Sequence, residues 1–187
     1  MKYFGKMILI PMFCFLISCS TLDYPVNNEA RINLSSENLN EINGIYKRSS
    51  INDTISTKHY CPNNLFHSFF LRPGSHLFND NSGNDFAELE VIDNKRIRIT
   101  LTENGNTVKS KILKGKIVEN TFEFNRRSFI IPLVIMNFYE DRKTRISLLQ
   151  NGNLSVETRT QAVGSFFIFP WSGGGYYADN LEFDKVK

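Results

Sequence analysis

Cysteine, histidine and tryptophan are scarce in this sequence. Its 187 residues include three cysteines, three histidines and one tryptophan. Two of the cysteines, Cys14 and Cys19, lie near the N terminus, which leaves Cys61 alone in the rest of the chain. A disulfide framework needs several paired cysteines, so this class of small crosslinked protein is excluded.

A strong excess of one charge and a long apolar run are also missing. The 22 Lys and Arg residues nearly balance the 19 Asp and Glu residues, so the net charge is only +3. Nucleic-acid-binding proteins usually carry a clear basic excess, and we expect no nucleic-acid partner. The uncharged stretch at residues 7–17 has 11 residues, whereas a transmembrane helix needs roughly 20. A retained membrane helix is therefore not expected.

The N terminus does contain the three parts of a secretory signal. Lys2 and Lys6 precede the apolar stretch, and Leu16, Ile17, Ser18 and Cys19 form a Leu-x-small-Cys motif at its end. These residues resemble the lipobox of bacterial membrane lipoproteins. The resemblance implies that the Cys19 thiol receives a diacylglyceryl group, that residues 1–18 are removed, and that the new amino terminus is acylated, typically with palmitate. An ordinary secretory signal or a buried N-terminal helix is the alternative.

The same resemblance implies an address and a domain organisation. Ser20, rather than Asp, follows the cysteine, which favours the bacterial outer membrane and leaves open which face of that membrane carries the protein. Residues 19–33 form an acylated and flexible tether that contains Pro25 and Asn27. Residues 34–187 have a normal length for one domain, and we expect a single β-barrel-like unit.

Alternation of apolar and polar residues predicts the strands of this domain. Short apolar–polar repeats are separated by turn pairs such as Asn104-Gly105 and Asn151-Gly152, which is typical of antiparallel hairpins. The core-facing residues are predicted to be Ala87, Leu89, Val91, Ile97, Ile99, Leu101, Val108, Ile112, Phe122, Phe124, Ile146, Leu148, Leu154, Val156, Leu181 and Phe183. The predicted fold class is all-β: an antiparallel up-and-down meander that closes into a lipocalin-like barrel or a curved sandwich.

Two local features refine this fold. A change of apolar parity predicts a β-bulge near Ile112 or Leu113, which would bend the sheet towards closure. The Gly173–Gly175 run predicts a hairpin turn that follows an apolar strand at Phe166–Phe169.

One or two short helices are predicted near the N terminus of the domain. The first would be capped by Ser35 or Ser36 and end near Ile42, and the second would contain the apolar residues between Leu65 and Phe70. A strand is the alternative for the second segment. A short helix followed by Gly44, Ile45 and Tyr46 resembles the opening of lipocalin-like domains, with Tyr46 where that pattern has tryptophan.

The interior of the predicted barrel is the first candidate site. An eight-stranded barrel is just wide enough to be filled by side chains or to hold one small ligand. Phe122, Phe124, Phe166 and Phe169 are the candidate lining residues. Parity alone leaves two readings open, a filled core and a pocket for a lipid or another small apolar ligand.

A metal or nucleophile site is the second candidate. His59, Cys61, His67 and His76 lie within 18 residues of one another, and imidazole and thiolate are suitable zinc ligands. Their spacing matches no zinc motif, so surface-loop histidines are the alternative. A Cys61–histidine nucleophile is a further possibility, but no orienting group is recognisable.

A basic surface is the third candidate. Arg96 and Arg98 on one predicted strand, and Lys109 and Lys111 on its neighbour, would form one outward patch. Such a patch attracts phosphate groups of anionic lipid or polysaccharide, whereas a solvated sheet face is the plainer interpretation.

These features together predict a non-enzymatic, lipid-anchored cell-envelope lipoprotein that binds a small apolar ligand or a protein partner. We expect no cofactor and no catalytic residue. The alternative function is a metal-binding or hydrolytic envelope protein that uses His59, Cys61 and His67, with zinc as the metal.

Overall fold

The described part of the chain forms two antiparallel β-sheets. The structure is a computed structural model that describes residues 30–51, 69, 85–130, 136–166 and 169–186. The first sheet contains β1 (Gly44–Lys47), β2 (Asp85–Asp93), β3 (Arg96–Glu103) and β4 (Asn106–Lys114). The second contains β5 (Lys116–Val118), β6 (Thr121–Ile130), β7 (Met136–Leu148), β8 (Leu154–Phe166) and β9 (Phe169–Phe183). Within each sheet every strand pairs with the next one along the chain, so the predicted all-β antiparallel class is confirmed.

The turn pairs found in the sequence lie at the ends of these strands. Asn104 and Gly105 both have positive φ angles, 50° and 79°, between β3 and β4. Glu119 and Asn120, between β5 and β6, also both have positive φ angles, 48° and 62°. Two consecutive positive φ angles are characteristic of the hairpin turn that matches the twist of the flanking strands.

The two sheets meet at Gly115. β4 pairs with β3 up to Lys114, and β5 pairs with β6 from Lys116 onward, so the chain crosses between the sheets at the intervening glycine. The Gly115 amide donates to the carbonyl oxygen of Lys95 at 2.8 Å. A β-carbon on Gly115 would lie 2.5 Å from the carbonyl oxygen of Glu123, so only glycine permits this close approach.

The opposite edges of the two sheets are also hydrogen-bonded. Tyr46 on β1 forms a bridge with Lys185, just after β9. The Lys47 amide donates to the Asp184 carbonyl at 2.9 Å, and the Val186 amide donates to the Ile45 carbonyl at 2.7 Å. The end of β9 therefore lies alongside β1.

The apolar core lies between the sheets and is covered at one end by a 3₁₀ turn, Leu39–Ile42. Leu39 and Ile42 are buried in the core cluster. The Tyr46 hydroxyl donates to the Ile42 carbonyl at 2.9 Å, and burial raises the pKa of this phenol well above its ordinary value. The first predicted helix is thus reduced to a four-residue 3₁₀ turn. Of the second predicted helix only Phe69 is described, and it is buried.

The segment before the 3₁₀ turn is held against the second sheet. The Ile32 amide donates to the Leu148 carbonyl at 2.8 Å, and the Leu34 amide donates to the Asn120 carbonyl at 3.2 Å. Arg31 forms a bridge with Leu149. The chain therefore joins the domain at the end where the β5–β6 and β7–β8 turns lie.

Two local predictions are wrong. Val108 and Ile112 are 55% and 45% exposed, so they do not continue the core-facing row, and the register shift lies between Leu101 and Thr102 rather than near Ile112. A bulge this close to the turn reverses the parity of all the β4 residues that follow.

The second error concerns the glycine run. Gly173–Gly175 lie inside β9, and the strands connect between Phe166 and Phe169. The glycines are accommodated by a register shift opposite Ala162 and Val163 instead of by a turn.

Candidate functional site

The interior of the domain changes from apolar to charged along the strands. Phe122 pairs with Ile146, and both are fully buried. Two residues further along, Phe124 pairs with Thr144, and after two more Arg126 pairs with Arg142. Because directly paired residues lie on the same face of a sheet, the row that begins with phenylalanine ends with two guanidinium groups facing the same side.

The first sheet contributes two lysines to that side. Lys111 pairs with Ile99 and Lys109 pairs with Leu101, and both partners are buried in the core. Leu113, two residues after Lys111, is itself only 4% exposed. The alternation of β4 therefore places Lys109 and Lys111 on the core-facing side of the sheet.

This placement separates the four residues of the predicted basic patch. Arg96 and Arg98 lie on the outer face of β3, where Arg96 binds Asp93 and Arg98 binds Glu90. The hydrogen bond from Arg96 and the backbone bond from Lys95 lower the pKa of the Asp93 carboxyl. The two arginines and the two lysines thus face opposite sides, and the arginines have acidic neighbours.

A cavity lies where β4 and β6 separate. These strands diverge because β4 pairs with β3, whereas β6 pairs with β5 and β7. The cavity has a volume of about 230 Å³. Its lining residues are Phe69, Lys111, Ile112, Leu113, Lys114, Phe124, Asn125, Arg126 and Arg142.

The apolar side of the cavity is formed by buried core residues. Phe69 and Phe124 are 1% and 6% exposed, and their ring centroids lie 5.6 Å apart at an interplanar angle of 35°. Leu113 completes this surface from β4. The three side chains belong to the same hydrophobic cluster as Phe122, so the cavity is continuous with the core.

The charged side of the cavity is basic. Four of the described lining residues are Lys or Arg, and none is Asp or Glu. On the same face of β7, Oε1 of Glu140 accepts a hydrogen bond from Arg142 at 3.1 Å. Arg142 also donates from Nε to the Thr160 hydroxyl at 3.1 Å, so its guanidinium is held in place by β7 and β8.

Burial lowers the pKa of the Lys111 ammonium below its ordinary value, and the positive charges of Arg126, Lys109 and Arg142 lower it further. Like charges that are close and partly desolvated raise one another's free energy. An anion placed among them would relieve that repulsion.

A second cavity of about 500 Å³ lies next to the first and is lined in part by Gly115 at the crossing between the sheets. Its lining includes Lys95, Lys114 and Lys116 but also Asp93 and Glu123. This mixed charge gives no preference for one type of ligand, so the first cavity is the better candidate.

The phenylalanines predicted to line an interior pocket have different positions. Phe122 lies deep in the filled core, whereas Phe124 lines the cavity. Phe166 and Phe169 end β8 and begin β9, and their side chains lie outside the described part of the structure.

The other predicted sites lie outside the described residues. These are the lipidation residue Cys19 and the possible metal ligands His59, Cys61, His67 and His76. Within the ranges that the structure describes, no group of three or more His, Cys, Asp or Glu residues is arranged to hold a metal ion. Among the same residues, no helix is both long and apolar enough to cross a bilayer.

The sequence patterns do not identify Arg126 and Arg142 as residues of the site. Both follow an alternating strand pattern with the parity of the core, so their parity was readable. A charged residue at a core-facing position is normally assigned to the end of a strand, since burial of a charge is costly.

Comparison of the chain with protein-family models, curated proteins and solved structures finds no match in any of the three.

Proposed function

We propose that this protein is a lipid-anchored cell-envelope lipoprotein whose β-domain binds a small apolar ligand without chemical conversion. The observation that carries the proposal is the cavity between β4 and β6, whose apolar side is formed by Phe69, Leu113 and Phe124. Ligand sites are usually concave and mostly apolar with a few polar groups. The volume of about 230 Å³ suits a small ligand.

The finer description of the fold belongs to the same proposal. We take the two sheets to close into a lipocalin-like barrel, with the β4–β6 gap as a lateral opening. The crossing at Gly115 and the hydrogen bonds between β1 and the end of β9 support this description. In such a barrel a ligand would enter between strands rather than through an end.

Lipid attachment at Cys19 is proposed from the lipobox. Three acyl chains would hold the protein firmly, because one chain binds a membrane only marginally and two or more bind it stably. The residues between Cys19 and Ala30 would link the lipid to the end of the domain that carries Arg31.

Replacement of Cys19 by alanine is expected to move most of the protein from the membrane pellet to the soluble fraction of expressing bacteria. Fractionation followed by immunoblotting measures this change. Cys14→Ala is the matched control and should leave the protein in the pellet, because bulky Phe13 precedes Cys14. A Cys19→Ala protein that stays in the pellet would contradict the anchor.

Ligand binding is tested by native mass spectrometry of the chain from Ser20 onward, exported to a bacterial periplasm. We expect an additional mass of a small lipid-like molecule that organic extraction removes. Leu113→Phe should reduce the bound fraction by at least half, because the larger ring occupies part of a cavity that Leu113 lines. Val108→Phe adds the same bulk at a position on β4 that is 55% exposed, and should leave binding unchanged.

Two results would argue against ligand binding at this cavity. The bare protein mass from every preparation would favour a filled core. A zinc-sized mass that disappears when His59 and His67 become alanine would favour the metal-binding alternative.

A further inference from the structure

The cavity between β4 and β6 joins an apolar surface directly to a group of cations. Phe124 and Arg126 are two residues apart on β6, and Leu113 and Lys111 are two residues apart on β4. Each strand therefore presents an apolar side chain and a cationic one to the same cavity. The apolar and cationic parts are side by side rather than on separate surfaces.

From this arrangement we infer, resting on the proposed ligand-binding function, that the ligand is an anionic amphiphile: an apolar chain against Phe124 and Leu113, with its carboxylate or phosphate bound by Lys111 and Arg126. Hydrogen bonds between a guanidinium or ammonium group and an anionic oxygen are among the strongest in proteins. Planar guanidinium groups suit carboxylate and phosphate oxygens especially well.

The fixed position of Arg142 supports the inference. Its guanidinium is bound by Glu140 and Thr160 and is nearly buried, so its position beside the cavity is set before a ligand enters. A cation that is fixed in this way needs no reorganisation when an anion enters the cavity. The pKa of the Lys111 ammonium, lowered by burial and by the neighbouring cations, reflects a repulsion that an anionic oxygen would relieve.

The size of the cavity limits the ligand to a short chain or to the head end of a longer one. Pockets for drug-sized ligands usually have volumes of about 300–1,000 Å³, and this cavity measures about 230 Å³. Octanoate is therefore the test ligand. Octanol carries the same chain without the charge, and inorganic phosphate supplies a free anion without a chain.

The experiment is isothermal titration of the full chain in phosphatidylcholine nanodiscs, with the heat from empty nanodiscs subtracted. We expect octanoate to bind at least about tenfold more tightly than octanol or phosphate, because a hydrogen bond to a charged group contributes about one order of magnitude in affinity. Lys111→Met and Arg126→Met should each weaken octanoate about tenfold and leave octanol unchanged. Arg98→Met removes a cation from the outer face of β3 and is the matched control.

Each other outcome has a definite meaning. If octanol binds as tightly as octanoate and Leu113→Phe abolishes both, the apolar site stands and the anionic head is overturned. If phosphate binds as tightly as octanoate, the ligand is a simple anion and the amphiphile is overturned. If octanoate binds equally to all variants, the assignment to Lys111 and Arg126 is wrong. If no ligand binds, the proposed function fails as well.

Discussion

Replacement of Gly115 by alanine is expected to lower the free energy of unfolding by about 3 kcal/mol, because even one methyl group does not fit at the crossing between the sheets. The new β-carbon would lie 2.5 Å from the Glu123 carbonyl oxygen and 2.6 Å from Cζ of the Phe122 ring. The carbonyl belongs to the β6 backbone and the ring is completely buried, so neither can move without disturbing the core. For a chain of this length the melting temperature should fall by about 9 °C, as measured by thermal unfolding.

Gly105→Asn is the control for this change. Gly105 has a φ of 79° in the β3–β4 turn, and a β-carbon added there would have no atom within 4 Å. Asparagine tolerates positive φ, so the stability of this variant should remain within about 0.5 kcal/mol of the unchanged protein. Equal melting temperatures for Gly115→Ala and the unchanged chain would show that the two sheets do not approach as closely as described.

Replacement of Arg31 by methionine is expected to cost about 3 kcal/mol, because it leaves a buried carboxylate without its closest cation. Arg31 binds Glu157 at 2.5 Å, and the two side chains are only 6% and 10% exposed. Arg31 also donates to the Ser147 hydroxyl at 3.0 Å, so it connects the start of the domain to both β7 and β8. Urea unfolding should show the loss as a lower midpoint with an unchanged slope.

The second variant in this test is Arg31→Met combined with Glu157→Gln. Removal of the carboxylate charge eliminates the unpaired buried anion, so the double variant should be more stable than Arg31→Met alone. The ion pair between Arg145 and Glu123, at 3.3 Å on the same face of the sheet, keeps both of its members in these two variants. The change in stability therefore reports on the Arg31–Glu157 pair. A loss below about 0.5 kcal/mol for Arg31→Met would mean that the Arg31–Glu157 pair contributes no more than an exposed pair.

Most strands of this protein were predictable because their alternation and their turns have local causes in the sequence. Apolar and polar residues alternate in β2, β3 and the core-facing part of β6 to β8, because one face of the sheet packs against the core. Asn104 and Gly105 readily adopt the positive φ angles that their turn requires. Which residues of β4 face the core was not predictable in the same way. A register shift at Leu101 and Thr102 reverses the alternation of this strand, and the apolar residues Val108 and Ile112 are left exposed while Lys111 faces inward.

The residues of the candidate cavity were likewise predictable only in part. Phe124 was recognised as a core-facing aromatic, since its neighbours alternate with it. Arg126 and Arg142 were not recognised, because a charge at a core-facing position is acceptable only if the neighbouring strands and a gap accommodate it. The separation of β4 from β6, which creates that gap, depends on pairing between residues far apart in the chain.

The amino-acid sequence by itself determined the antiparallel all-β class, the positions of most turns and the apolar half of the core, since these follow from period-two patterning and turn chemistry within a few residues. Only the tertiary structure decided the register of β4, the crossing at Gly115 and the meeting of Lys111 with Arg126 beside Phe124. The physical reason is that one bulge reverses the face of every later residue in a strand, and this choice is governed by packing between the sheets.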